Sequence, residues 1–233
     1  MKPLNYLFCI FILFSCSHNI RITKTGIDKT AAHKIIAILP FEMSLNLNKK
    51  QQDIISEKDK AALSQSLSVD LQKKLYFMLV KYAAKHKLSI QVQNVDETLT
   101  KLSANNTRFS DLHNANKSAL LNILSVDAVL DPNMTITQQG AAFSAMVPFP
   151  LPAPYTGIAT ADVYNLNIDF NVSIKDLSAD TAFWKYKTNQ WYQAANKISK
   201  DKKEASNNFL APLFLNVDDI FKVFISNQPY RKN

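Results

Sequence analysis

The sequence predicts an α/β fold with a mixed sheet: βαβα first, then an antiparallel meander and a C-terminal helix, in a single domain. Three observations lead to this prediction. A short apolar run ended by proline indicates a buried parallel strand, a long stretch carries apolar residues at intervals of three and four, and a later stretch alternates strictly between apolar and polar residues. Parallel βαβ units therefore come first, and antiparallel strands follow.

The first strand and the first long helix lie near the start of the domain. Residues 34–41 (KIIAILPF) form the apolar run, and the polar residues 42–55 predict a loop. Ser56, followed three residues later by Asp59, matches the signature of a helix start. The apolar face that follows predicts a helix ending near His86.

The middle of the chain predicts two further strands separated by helical segments. Residues 88–92 alternate and indicate the second strand, and residues 95–102 a short helix with acidic residues in its first turn. One or two helical pieces are expected over 110–125. The third strand begins at Val126 and continues through Ile136.

The clearest pattern is the alternation over residues 164–175, where apolar residues occupy the even positions and polar residues the odd ones. It predicts a long, half-buried antiparallel strand with one wet face. A further strand is expected to start at Phe183. A basic linker over 197–203 then leads to the last helix, in which Pro212 lies early, where a first-turn proline is tolerated.

The N-terminus has the features of an export signal. Lys2 precedes an apolar run over residues 4–14 that is too short to span a bilayer. Residues 13–16 (Leu-Phe-Ser-Cys) resemble the bacterial lipobox, which implies cleavage after residue 15 and acylation, palmitate included, of the Cys16 sulfur. The alternative is an ordinary cleaved signal peptide with a chance cysteine.

This resemblance sets the expected domain boundaries: a signal peptide over 1–15, a lipidated N-terminus and polar tether over 16–32, and the α/β domain over 33–228. Several acyl chains on one cysteine give stable anchoring. By resemblance to lipoprotein sorting, Ser17 after the cysteine is compatible with an outer-membrane location, where the domain is expected to face the periplasm.

Composition excludes several classes of function. The chain has only three glycines and lacks the glycine patterns of phosphate-binding loops, so no nucleotide cofactor, and no other cofactor, is expected. The formal net charge is +8, but the lysines are scattered and no nucleic-acid partner is expected. A basic surface favours anionic partners such as lipid headgroups or acidic polymers.

Three stretches carry a resemblance to a bacterial lipoprotein superfamily. They are KIIAILPF, SVDAVLDPN and NIDFNVSIKDLSADTAFWKY, and they are similar in order and spacing to the patterns of that superfamily. It includes the curli-secretion pore lipoprotein, the lipoprotein activator of penicillin-binding proteins and the TolB amino-terminal domain. The resemblance covers most of residues 34–225 and implies a non-enzymatic domain that works in a cell-envelope machine.

Residues 141–159 are the predicted interaction site. Prolines alternate with apolar residues there, and no charged residue occurs between Asp131 and Asp162. Alternate prolines favour an extended conformation outside a sheet ladder, so an apolar loop at the tip of a hairpin is expected. The loop could dock a protein partner, cap the core or enter the membrane. The residues expected to bind the partner are Phe143, Met146, Phe149, Leu151 and Tyr155.

No catalytic residue and no metal ligand are predicted. The four histidines lack ligand spacing, and no serine stands in a nucleophile motif. Asp127 and Asp131 flank a strand start, where hydrogen bonds to a turn or cap explain them better than catalysis does. Trp184 and Trp191 suggest strand packing, with a binding platform as the alternative.

The expected function is that of a non-enzymatic, lipid-anchored module, held to the membrane at Cys16, that binds an unidentified envelope protein. One alternative is an oligomeric secretion component that uses the same hairpin to join neighbouring copies or to cross the membrane. The other is a hydrolase of an envelope polymer, which would need paired acids converging in a cleft.

Overall fold

The computed structural model describes residues 18–22, 30–53, 55–150, 156–177, 182–197 and 202–230. The strands are β1 (His18–Ile22), β2 (Ile35–Ile38), β3 (Glu42–Asn46), β4 (Gln91–Val92), β5 (Ala128–Pro150), β6 (Thr156–Asp176) and β7 (Trp184–Lys197). The helices are α1 (Lys49–Gln52), α2 (Glu57–His86), α3 (Val95–Ala104), α4 (Phe109–Leu112), α5 (Lys117–Leu124) and α6 (Lys202–Asn227). Within these ranges, no helix is both long and apolar enough to cross a membrane.

The strands form one mixed sheet in the order β1-β7-β6-β5-β2-β4, and β3 pairs with β5 off this path. β2 is parallel to both of its neighbours, β4 and β5. From β5 through β6 and β7 to β1, each strand is antiparallel to the next. The predicted α/β class, with parallel strands first, an antiparallel meander next and a helix last, is confirmed.

β2 and β3 pair in succession with the same side of β5. β2 reaches Leu130, β3 takes over at Asn133, and Pro132 lies between the two. Leu39 N–H donates to the Leu130 carbonyl at 2.9 Å, so residues 130 and 132, two apart on one strand, direct their backbone groups to this side. The missing N–H of proline therefore falls at the gap between the two strands, where no ladder bond is lost.

The main core lies between one face of the sheet and the helices α2 and α6. Its centre is an aromatic cluster around the fully buried Phe170 of β6. The Phe170 ring centroid lies 6.0 Å from Phe41, 5.3 Å from Phe221 and 5.7 Å from Phe224. The even-numbered residues of the alternating stretch thus form the inner face, as predicted.

A second, smaller core packs on the opposite face, over the parallel strands only. α3, α4 and α5 cover this region, and their leucines contact the outward residues of β2 and β5. Its buried members are Ala37, Leu39, Leu102, Leu112, Leu120, Leu121, Leu124, Val126 and Val129. These helices leave most of the same face of β6 and β7 partly exposed.

The predicted start and end of α2 are confirmed. Ser56 is the N-cap: its hydroxyl oxygen accepts a hydrogen bond from Asp59 N–H at 3.2 Å, and its O–H donates to the Asp59 carboxylate at 2.6 Å. The helix ends at His86, and Lys87 follows in the left-handed region with φ of 49°.

Three segments differ from expectation. The loop predicted over 42–55 contains β3 and α1, because a strand that is polar on one face is stabilised by pairing with β5. His18–Ile22, assigned to the tether, pairs with β7 as an edge strand. α6 begins at Lys202, so Pro212 lies in the helix interior and not in its first turn.

Candidate functional site

β5 and β6 form a hairpin that continues well past the rest of the sheet. Their register shifts between Gln139 and Phe143, where residues 140–142 of β5 face one residue of β6. Such a bulge bends a strand and increases its twist. We call the part beyond the bulge, residues 143–150 paired with 156–163, the distal ribbon. It is about 26 Å long at the rise of a strand.

Few of the described strands lie beside the distal ribbon. β3 ends opposite Thr137, and β7 ends opposite Ala161. Beyond those positions, the described strands leave β5 and β6 paired only with each other. An isolated two-stranded hairpin is at best marginally stable in water, so this element gains stability from whatever covers it.

The register gives the two faces of the distal ribbon different compositions. Residues directly opposite each other share a face, and successive residues alternate between faces. One face therefore holds only apolar and small residues: Phe143, Ala145, Val147, Phe149, Gly157, Ala159, Ala161 and Val163. The other holds the polar residues Ser144, Thr156, Thr160 and Asp162, together with Met146, Pro148, Pro150 and Ile158.

The sequence prediction that the prolines lie outside the ladder is wrong for Pro148 and Pro150. Both lie in β5, opposite Ile158 and Thr156. Antiparallel pairs alternate between those that exchange hydrogen bonds and those that do not, and a proline without N–H suits the second kind. Both prolines then fall on the free edge of β5 and remove the donors that a further strand would need.

The predicted site residues do not all lie on one face of the distal ribbon. Phe143 and Phe149 share the apolar face of the distal ribbon, and Met146 belongs to the opposite face. Leu151, Tyr155 and Cys16, the predicted lipidation site, lie outside the described residues. The predicted loop over 141–159 is largely strand, since β5 runs to residue 150 and β6 starts at residue 156.

The start of β1 and the distal ribbon lie toward the same end of the sheet. β1 is antiparallel to β7, with His18 opposite Thr188 and Ile22 opposite Trp184. From Ile22 back to His18, β1 therefore runs in the direction in which β7 runs toward the ribbon.

The sequence did not predict a buried cluster of three ionisable side chains. Asp131 of β5 contacts His113 Nδ1 through one carboxylate oxygen and Lys175 Nζ of β6 through the other. Burial raises the pKa of Asp131, but the bonds from His113 and Lys175 outweigh it, so that the pKa lies below its ordinary value. These residues are 18 and 44 positions from Asp131, too far apart for a local motif.

His113 also lines a cleft of about 320 Å³ at the carboxyl end of β2. Glu42, Ser64, Gln65 and Phe109 contribute to its wall. The hydrolase alternative needs two converging acids, but Asp131 is committed to His113 and Lys175. Asp127 instead accepts hydrogen bonds from the N–H groups of Lys34 and Ile35, at 2.7 and 2.8 Å. The described residues contain no group of three or more His, Cys, Asp or Glu able to hold a metal ion.

His33 occupies a second buried polar cluster, at the opposite end of the sheet. Its Nε2 forms a hydrogen bond with the Asp176 carboxylate at 3.2 Å, and its Nδ1 forms one with the Tyr230 hydroxyl at 2.9 Å. Burial, with help from the charges of Asp176 and Asp127, raises the pKa of Tyr230. The cluster joins the residues before β2, the end of β6 and the segment after α6, which is a structural role.

Solved structures similar to this chain include two bacterial proteins. Lipoprotein GNA1162 from Neisseria meningitidis aligns with 80% of this chain and 99% of its own, at 10% identity and a TM-score of 0.37. A Helicobacter pylori protein described as a homologue of the neuraminyllactose-binding hemagglutinin aligns with 81% of this chain and 84% of its own, at 8% identity and a TM-score of 0.34. At these TM-scores, neither similarity assigns a function. No family model matches the chain, and neither does any curated protein.

Proposed function

We propose that this chain is a non-enzymatic lipoprotein of the bacterial outer membrane, facing the periplasm, whose distal ribbon binds a protein of a cell-envelope machine. Cys16 carries the lipid in this proposal, in line with the lipobox resemblance. The resemblance of three stretches to the curli-secretion and TolB-like superfamily supports this proposal. A lipid anchor raises the local concentration of the ribbon at the membrane and thereby strengthens weak contacts.

One observation carries the proposal: the distal ribbon has a wholly apolar face by register, and no described strand lies beside its outer half. An apolar strand face that no other part of its own chain covers marks a contact with a partner or a membrane. An extended, proline-rich strand is already ordered, so docking it costs less conformational entropy than docking a flexible loop. Because prolines interrupt the free edge of β5, the apolar face is the surface offered to the partner.

The test is photocrosslinking in cells from a photoreactive amino acid at Phe149, followed by mass spectrometry. The matched control carries the same probe at Phe77, an aromatic residue on the outer surface of α2 that is 68% exposed. We expect a discrete envelope protein from position 149 and not from position 77. A ribbon that crosslinks to no protein, or to the same proteins as the control, contradicts the proposal.

The anchor is tested separately from the ribbon. Mass spectrometry of the purified mature N-terminus should find acyl chains on Cys16, and Cys16→Ser should release the chain from the membrane fraction. An unmodified thiol at Cys16, with the chain fully in the aqueous phase, overturns the anchored part of the proposal. It leaves the crosslinking result from the ribbon to be judged independently.

The second candidate is an oligomeric secretion component whose hairpins enter the membrane. It is favoured by the shared direction of the ribbon and of the start of β1, because a lipid at Cys16 then places the bilayer on the ribbon's side of the sheet. It is disfavoured by Pro148 and Pro150, because neighbouring hairpins that join edge to edge need the free donors of β5. A monomer in mild detergent, measured by light scattering, supports the first candidate, and a ring-sized oligomer supports the second.

A further inference from the structure

The sheet face opposite the main core carries a surface separate from the distal ribbon. It consists of two adjacent rows of residues, all polar except one tryptophan. Thr135, Asp169 and Asn189 lie opposite one another on β5, β6 and β7, and Thr137, Asn167 and Trp191 form the next row toward the ribbon. We call these six residues the amide face. The rows stand about 7 Å apart and each spans three strands, or about 10 Å.

Hydrogen bonds between side chains hold the amide face in a fixed arrangement. Asn167 and Asn189 exchange two hydrogen bonds, each 2.9 Å long. The Asn189 amide also donates to Asp169 Oδ1 at 2.7 Å. On β3, the Asn46 amide donates to the Thr137 hydroxyl oxygen at 3.3 Å, which extends the network across a fourth strand. Side chains held in this way are preorganised for a ligand.

Trp191 stands out from the other aromatic residues of β7. Trp184 and Tyr186 are fully buried in the main core, whereas Trp191 is 55% exposed beside Asn167. Large aromatic side chains are usually buried, because the indole ring contributes most when it leaves water. A half-exposed tryptophan next to fixed amides is a ready surface for a ligand with an apolar face.

The composition of the amide face is unusual for a sheet, and Asn167 within it is only 7% exposed. Asn and Asp are depleted in strands, where Thr and other β-branched residues are favoured, so Asn167, Asp169 and Asn189 weaken strand formation. A role in folding alone would be served by threonine or lysine. Short amides instead supply paired donors and acceptors at fixed positions.

We propose that the amide face binds a neutral saccharide. Sugar rings offer hydroxyl groups that both donate and accept, which matches the amides and threonines, and an apolar ring face, which matches the Trp191 indole. The two rows contain no basic residue, and their one charged group is the carboxylate of Asp169. An acidic sugar would therefore meet a like charge within the two rows. This proposal does not depend on the function assigned to the distal ribbon.

The test is isothermal titration of the full-length chain with three neutral tetrasaccharides: chitotetraose, cellotetraose and maltotetraose. Tryptophan fluorescence, followed in parallel, reports on the site because Trp191 is exposed and Trp184 is buried. We expect saturable binding of at least one of the three. Trp191→Ala and Asn189→Ala should each weaken it by about tenfold or more.

The matched control is Phe77→Ala, which removes another exposed aromatic ring, on α2, and should leave binding unchanged. Circular dichroism checks that Trp191→Ala and Asn189→Ala remain folded. The proposal is overturned if none of the tetrasaccharides binds at about 10 mM. It is also overturned if Trp191→Ala binds as well as the unsubstituted chain.

Discussion

The two halves of the β5–β6 hairpin share the same strands but differ in which other elements of the chain lie beside them. Before the bulge at residues 140–142, the hairpin has one apolar face closed by α2 and α6 and one polar face held by amide hydrogen bonds. Beyond the bulge lies the distal ribbon, which has an apolar face by register but no strand on either side of its outer half.

An apolar strand face by itself therefore does not identify a core. In the body, Phe170 and its neighbours are apolar because helices of the same chain cover them. In the ribbon, the apolar residues have no described strand beside them at the outer end, and in the function proposed above another molecule covers them. Substitutions in the body should therefore alter stability, and substitutions in the ribbon should alter binding.

The largest expected effect separates two phenylalanines of the hairpin. Phe170→Ala should lower the free energy of unfolding by about 3–5 kcal/mol, because it opens a cavity among four other buried rings. Phe149→Ala in the distal ribbon should change it by less than about 0.5 kcal/mol. Urea unfolding followed by circular dichroism measures both. A loss of similar size in both variants would mean that the ribbon belongs to the core.

The next effect concerns the buried charges of the body. Asp131→Ala leaves His113 and Lys175 without their carboxylate in a site where Asp131 is 9% exposed, and should cost about 3 kcal/mol of unfolding free energy. Asp219→Ala removes the partner of Lys222 from a pair that is mostly exposed, and should cost less than about 0.5 kcal/mol. Equal losses would contradict a structural role for the buried cluster.

Low pH should reduce the stability that the Asp131 carboxylate contributes to the body of the molecule. The bonds from His113 and Lys175 hold the pKa of Asp131 in the folded chain below its unfolded value of about 3.9. The stability that this carboxylate contributes is therefore fully present above about pH 4 and is lost as the pH falls through the folded pKa. We expect the difference in unfolding free energy between the unsubstituted chain and Asp131→Asn to shrink below that pH. A difference that stays constant down to pH values near 2 would refute the assignment.

The smallest effect on stability is expected at the prolines of the ribbon. The double variant Pro148→Ala, Pro150→Ala restores two N–H donors on the free edge of β5 and should change the unfolding free energy by less than about 1 kcal/mol. Its self-association should nevertheless rise, as measured by analytical ultracentrifugation. Pro132→Ala is the control, because that position faces the junction of β2 and β3 inside the sheet. A double variant that associates no more than the control would show that the prolines do not face the free edge.

Much of the fold could be predicted because its signals are local. The alternation over residues 164–175 predicted both the strand and its inner face, which holds Phe170. Ser56 with Asp59 predicted the start of α2, because capping involves neighbours in sequence. The absence of charge between Asp131 and Asp162 indicated the ribbon, although its length as strand was underestimated.

Other features could not be predicted because their causes are remote in sequence. β3 has a polar sequence and becomes a strand only through its pairing with β5, some ninety positions away. The Asp131 cluster brings together residues from α4, β5 and β6, and the amide face joins three strands in register. The sequence offered only single residues as signals for these two sites: Trp191, which has asparagines nearby, and Asp131, which stands in an apolar strand.

By itself, the sequence determined the mixed α/β class, the apolar face of each long element and the ends of α2, because periodicity and capping act within a few residues. Only the tertiary structure decided that the polar segment 42–46 pairs with β5, that Asp131 is enclosed by His113 and Lys175, and that Trp191 remains exposed while Trp184 is buried. Those outcomes depend on which distant strands and helices meet, and their energies arise from register, burial and charge pairing that no local pattern specifies.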